Sequence, residues 1–204
     1  MIVTEDLARD GKVLFGREQG AQIVRRVEEH LSSLKNGGFV ILRLDGLDAI
    51  DYAAADEIAK GIMTLVWAGT LRPEHHVVYM GGQDNVVEAF VAANRARSVV
   101  GFHFTDMASL RNGQWRILGN LPGHLIDTLR ALHRGGPSTA ESLAKHLGIT
   151  VGAAQNRLTE LRRRGLATRK VGNSRGKYIY EFHCSQRCVI QELIPHNGDE
   201  VVLS

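Results

Sequence analysis

Between residues 20 and 104 the hydrophobic period switches back and forth between that of a helix and that of a strand, and this alternation restricts the fold more than any single motif. Gly20 to Leu34 repeats at about 3.6 residues, with Ile23, Val24, Val27, Leu31 and Leu34 on one face and Arg25, Glu28 and Glu29 opposite. Asn36-Gly37-Gly38 ends that helix with residues that accept positive φ. Phe39-Val40-Ile41-Leu42-Arg43-Leu44 is a nearly continuous apolar run, the pattern of a central strand covered on both faces. The loop Asp45 to Asp51 leads into a second amphipathic helix, with Ala54, Ile58, Ile62, Leu65 and Val66 inward. His75 to Met80 reads as a strand, Gly81-Gly82 as a tight turn or, more weakly without a lysine, as amides offered to an anion, and Gln83 to Arg95 as a helix with Val86, Val87, Phe90 and Val91 inward. Lys12 to Phe15 adds an early strand and Val99 to Phe104 a late one. Strands separated by helices predict an α/β layer with a mostly parallel sheet over residues 1–105.

The pattern changes after that. Residues 106–120 read as a connector that packs through Trp115, Ile117 and Leu118. From 121 to 182 the spacing predicts three helices and two strands. The first helix, His124 to His133, has the apolar stripe Leu125, Ile126, Leu129 and Leu132 and is stopped by Gly135-Gly136-Pro137. Ser138-Thr139-Ala140-Glu141 fits a capping box for the second, which buries Leu143 and Leu147 and ends before Gly148. Thr150 caps the third, Val151 to Arg164, whose inner side is Ala154, Leu158 and Leu161. Leu166 to Val171 and Tyr178 to Phe182 alternate as strands around a glycine-rich basic loop, residues 172–177. Residues 183–204 form a tail or arm with Ile190, Leu193, Ile194, Val201, Val202 and Leu203 available to pack as a strand.

Charge follows the same division. The chain of 204 residues carries a net +3, but residues 1–119 carry −2, residues 120–182 carry +7 and the last 22 carry −2. Residues 154–177 hold eight bases and one acid, Glu160. A solvated basic face needs no partner, but this concentration points to nucleic acid bound by one domain only. With 44% hydrophobic and 23% charged residues the chain is globular rather than disordered. It has no apolar run long enough to span a bilayer. Acids at Glu5 and Asp6 replace the basic start of a signal peptide, and only two cysteines occur, so the expectation is a cytoplasmic protein.

The stretches Ala144-Lys145-His146-Leu147-Gly148-Ile149-Thr150, Asn156-Arg157-Leu158 and Leu161-Arg162-Arg163-Arg164-Gly165-Leu166 resemble the winged helix–turn–helix domains of bacterial transcription regulators, over nearly all of 121–182. A recognition helix needs an apolar side for its own domain and a polar side for the groove. Here Thr150, Gly152, Gln155, Asn156, Thr159 and Arg163 lie away from the apolar side. Gln155 and Asn156 have the amides that read adenine edges. Arg157, Arg163, Arg169, Lys170, Arg175 and Lys177, with Ser174 in the loop, are the candidates for phosphate contact.

A second resemblance covers about residues 10–105. Gly16-Arg17-Glu18-Gln19-Gly20-Ala21, Ile41-Leu42-Arg43-Leu44-Asp45-Gly46-Leu47 and Ala55-Asp56-Glu57-Ile58 are similar to the STAS-like domains of bacteria, relatives of anti-sigma-factor antagonists. That resemblance implies a partner-binding or dimerising domain, with Asp51, Tyr52, Asp56 and Glu57 as the candidate partner residues. In the parent family a serine or threonine at the start of this helix is phosphorylated. Asp51-Tyr52-Ala53-Ala54-Ala55-Asp56 has no hydroxyl except that of Tyr52, so the switch does not carry over. Asp51 also reads simply as a helix N-cap, and Asp56-Glu57 as favourable charge in a first helical turn.

Enzyme signatures are missing: there is no Walker loop, dinucleotide fingerprint, His-Glu-x-x-His or Gly-x-Ser-x-Gly. Asp45, Asp48, Asp51 and Asp56 gather near one strand end, where α/β sheets place sites, but without a nucleophile or metal pattern. His75-His76 would point to opposite faces of a strand and rarely share a metal. Cys184, Cys188, His183 and His196 resemble half of a zinc site without its distinctive spacing. The reading is a regulator without catalytic residues, cofactor or metal, which binds duplex DNA as a homodimer. Its rival is a partner-switching adaptor that binds only proteins.

Overall fold

The computed structural model describes residues 2–34, 38–67, 75–112, 114–164, 166–171, 178–182 and 189–193. In chain order its elements are β1 (Ile2–Asp6), β2 (Val13–Leu14), α1 (Gly16–Ser33), β3 (Gly38–Arg43), β4 (Ala49–Ile50), α2 (Tyr52–Trp67), β5 (His75–Met80), α3 (Asp84–Ala96), β6 (Val100–Phe104), α4 (Met107–Asn112) and β7 (Gln114–Gly119). Then come α5 (Gly123–Gly135), α6 (Ala140–Leu147), α7 (Val151–Arg163), β8 (Ala167–Val171), β9 (Tyr178–Phe182) and β10 (Val189–Leu193). The chain divides into two units, the first built from Met1–Ile62, His75–Asn120 and Val189–Ser204, the second from Met63–Glu74 and Leu121–Cys188.

The first unit is mixed α/β around a sheet of order β1-β3-β5-β6-β7-β10. β1, β3, β5 and β6 run parallel, β7 is antiparallel to β6, and β10 is parallel to β7. Parallel pairing needs a crossover, and the helical stretches between strands supply it. Val40, Ile41 and Leu42 are consecutive, so they alternate between faces, yet all three are fully buried. Both sides of β3 are therefore covered, as its unbroken apolar run requires. Facing the helices, α1 buries Ile23, Val27 and Leu31, and α3 buries Val86, Val87, Phe90 and Val91. Each such side chain contributes about 1.5–3 kcal/mol through removal from water. The α1–α2 contact is close because Gly20 lacks a side chain: a Cβ there would stand 2.7 Å from the Ala54 carbonyl oxygen.

Four segments differ from the sequence-based expectation, the first being the loop 45–51, whose Ala49–Ile50 pairs with Val13–Leu14 in a separate two-stranded sheet. Ile2–Asp6, charged at one end, is a strand, held by parallel pairing with β3. The expected connector 106–120 instead holds α4 and β7, and β7 continues the sheet through Val100↔Gly119 to His103↔Arg116. Within the expected tail, Val189–Leu193 adds the last strand beside β7.

In the second unit α5, α6 and α7 pack on one another through Leu125, Leu129, Leu132, Leu143, Ala154, Leu158 and Leu161, all buried. β8 and β9 pair antiparallel from Ala167↔Phe182 to Val171↔Tyr178.

Candidate nucleic-acid interface and partner surface

The α6–turn–α7 segment is set by local chemistry. Thr139 caps α6, its hydroxyl oxygen accepting from the Ser142 amide at 3.1 Å. The expected box on Ser138 does not form, because the helix starts one residue later and Ser138 Oγ donates to the Gly136 carbonyl at 3.0 Å. Gly148 ends α6 in the left-handed region (φ 65°, ψ 32°), which turns the chain at no Cβ cost. Thr150 then caps α7, accepting from the Ala153 amide at 3.2 Å.

Periodicity leaves α7 with two unlike faces. Ala154, Leu158 and Leu161 are fully buried, whereas Gly152, Gln155, Asn156, Thr159 and Arg163 are exposed. A Cβ on Gly152 would meet nothing within 4 Å. Gln155, Asn156 and Thr159 make no side-chain hydrogen bond to another described residue. The arginines are more engaged. Arg157 is half-buried, and Nη1 donates to the His124 carbonyl at 3.4 Å, a long bond that turns it back toward α5. Glu160 accepts from Arg163 at 3.0 Å and from Arg164 at 2.8 Å, and these two bonds hold its carboxyl below the ordinary range. Arg169 is exposed on β8. The side chain of Lys170, and Ser174, Arg175 and Lys177 altogether, lie outside the described residues.

The acids of the first unit are organised differently. Asp51 caps α2, Oδ1 accepting from the Ala54 amide at 2.8 Å, and both its oxygens lie 3.1 Å from the Gly16 amide at the start of α1. One carboxylate thus satisfies orphan donors of two helix N-termini, the N-cap role read from sequence. Asp56 is buried. It accepts two hydrogen bonds of 2.7 Å from Arg97 and lies 3.3 Å from Arg17, and chiefly the Arg97 bonds lower its pKa despite burial. Glu57 pairs with Arg17 and Lys60, each at 3.1 Å. Only Tyr52 of the four candidate partner residues is an exposed side chain.

Sequence reasoning passed over two neighbours of Tyr52. Phe15 is 72% and Val13 53% exposed, on the segment that β2 and the Asp51–Gly16 bonds hold beside the start of α2. Their signal was present as apolar residues in an early strand, but exposure of a two-residue strand depends on its pairing with β4.

The remaining candidates separate. Asp45 accepts from the Gly82 amide at 3.0 Å, and Asp48 lies 4.0 Å from Lys12, so the four aspartates of the loop and helix serve different partners. His75 is buried and its Nε2 donates to the Leu34 carbonyl at 2.8 Å, while His76 stacks on Phe39. No group of three His, Cys, Asp or Glu able to hold a metal ion occurs among the described residues. Cys184 and Cys188 lie outside them. Among the described residues, no helix is long and apolar enough to cross a membrane. A scan against protein-family models found no match, and a search of curated proteins found no relative.

Proposed function

We propose that this protein is a bacterial DNA-binding regulator whose second unit is a winged helix–turn–helix domain, with α7 as its recognition helix and β8–β9 as the wing. The observation that carries the reading is α7 itself. Its inner side is fully buried, and its outer side presents Gly152, Gln155, Asn156 and Thr159 to solvent with small residues that permit close approach. The local base excess of residues 154–177 supports duplex DNA as the partner. The STAS-like first unit would bind a protein or pair two copies, and the exposed Val13, Phe15 and Tyr52 favour contact there. The protein acts in the cytoplasm, without catalytic chemistry.

The deciding experiment titrates the full chain against duplex DNA at several salt concentrations. Log affinity should fall linearly with log salt, by about 0.9 for each phosphate neutralised. A flat dependence, or no complex at low salt, removes the DNA reading and leaves the protein-only adaptor. The homodimer follows from a small single-module footprint, which two linked copies would double. Light scattering that gives one chain's mass, 22.5 kDa, with and without DNA would exclude it.

A further inference from the structure

The first unit contains a cavity of about 380 Å³, whose lining includes Gly82, Asp84, Val87, Glu88, His103 and Arg116. It sits where the parallel strands β5 and β6 end and α3 begins, the side of an α/β sheet on which ligands bind. Its size falls within the ordinary range of small-molecule pockets, roughly 300–1,000 Å³.

The floor is built rather than accidental. Gly81 and Gly82 have φ of 71° and 94°, and a Cβ on Gly81 would stand 2.1 Å from Asp45 Oδ1. Their backbone is fixed by the Gly82 amide donating to Asp45 and by the Gly81 amide donating to the Phe104 carbonyl at 2.9 Å. His103 is 97% buried, since only 3% of it is accessible. Its Nε2 lies 2.8 Å from the Gly81 carbonyl and must carry a proton to bond there. Burial lowers its pKa, so the ring is neutral and Nδ1 holds a lone pair. That Nδ1 has no hydrogen-bond partner.

The charges select the ligand. Asp84 and Glu88 stand one turn apart on α3, and Arg116 faces the cavity from β7. The Arg116 guanidinium makes no hydrogen bond or ion pair with a described residue. A simple anion such as phosphate would meet Arg116 but also both carboxylates, with Asp45 already on the Gly82 amide. A simple cation would meet Arg116. We infer that the cavity binds a small zwitterion, an α-amino acid or close analogue, whose ammonium lies between Asp84 and Glu88 and whose carboxylate meets Arg116. Val87 supplies the apolar contact for its side chain. This site gives the first unit a ligand to sense, and it stands whether or not the second unit binds DNA.

The test is calorimetric titration of the full chain with each of the common free amino acids up to about 10 mM, beside N-acetyl and amide derivatives and inorganic phosphate. At least one amino acid should bind saturably, and removing either its charge by acetylation or amidation should weaken it at least about tenfold. Arg116→Gln and Glu88→Gln should each do the same, and both positions are exposed, so the variants will fold. Nuclear magnetic resonance should place the largest amide shifts at Gly81, Gly82 and Asp84. Absence of saturable binding, binding unchanged by both substitutions, or phosphate binding as tightly as any amino acid would each overturn the proposal.

Discussion

The start of α2 and the outer side of α7 carry polar groups of similar kinds, but they commit them in opposite ways. Around α2 the carboxylates point inward. Asp51 joins two helix N-termini, and Asp56 is buried against Arg97. On α7 the amides of Gln155 and Asn156 stay in solvent. A buried polar group without a partner costs free energy, so the first set is retained for folding. An exposed amide costs nothing either way, so the second set is unconstrained by stability. The lesson is that carboxylates grouped at a strand end are weak evidence of a site, and that a clean polar helix face is better evidence.

The sharpest break of this contrast is Asp56→Ala. It removes a carboxylate that holds Arg97 by two bonds, and Arg97 is about one-third exposed, so water recovers part of the loss. The expected destabilisation is roughly 2–4 kcal/mol in urea unfolding. Asp56→Asn sharpens the test through pH. The folded-state pKa of Asp56 lies below 3.8, so its charge contributes stability above the unfolded pKa and loses it as pH falls through the folded value. Wild type should therefore exceed Asp56→Asn near neutrality and approach it only as pH falls through the lowered folded-state value. A gap that persists unchanged in acid would mean that packing, not charge, is what Asp56 supplies.

The opposite outcome is expected on α7. Gln155→Ala and Asn156→Ala should leave unfolding within about 0.5 kcal/mol of wild type. Each should cost roughly 1–3 kcal/mol in binding to a selected duplex and little on random sequence. Equal losses on both duplexes would make them backbone contacts. A loss of stability instead would erase the contrast with Asp56. Thr150→Ala tests the scaffold below them: loss of the cap should cost about 1 kcal/mol in urea unfolding. No change would show that the α6–α7 turn is set elsewhere.

These differences also explain what could be read in advance. The α7 face was legible because its determinants are local: a cap at Thr150, a left-handed Gly148 and apolar spacing within one helix. The alternation of β3, β5 and β6 with helices was legible for the same reason. Glu5 was not. It looks like a solvated acid near the N-terminus until parallel pairing sets it opposite Leu42. Only then does α1 bring Arg26 at 2.6 Å and His30 at 3.0 Å to a buried carboxylate. The cavity was hidden likewise. Gly81-Gly82 reads as a turn, and its meaning depends on His103, which reaches it across β5 and β6. β7 escaped because it breaks the strand–helix alternation, returning antiparallel to β6 after the six-residue α4.

The smallest effect lies where the two modes meet, at Glu160. It is the acid of the basic segment, and half-buried on α7 it does what Asp56 does inside the first unit: it occupies arginines. Arg163 is 66% exposed and Arg164 14%, so Glu160 makes one surface pair and one half-buried pair, together worth about 0.5–1 kcal/mol, and Glu160→Gln should lower stability by about that. Binding should move the other way. Removing the carboxylate takes one negative charge from the helix that would face phosphates and leaves Arg163 with a weaker competitor for its guanidinium. If α7 lies in a groove, affinity for any duplex should rise, by roughly twofold to tenfold at low salt, and the gain should fade as salt screens it. The rise should be equal on selected and random sequences, because phosphate contacts carry no sequence information. Anisotropy titrations of Glu160→Gln beside Asn156→Ala separate the two contributions. A Glu160→Gln protein that binds DNA more weakly than wild type would place Glu160 among the base-reading groups, where a carboxylate accepts from cytosine, and would redraw the interface around it.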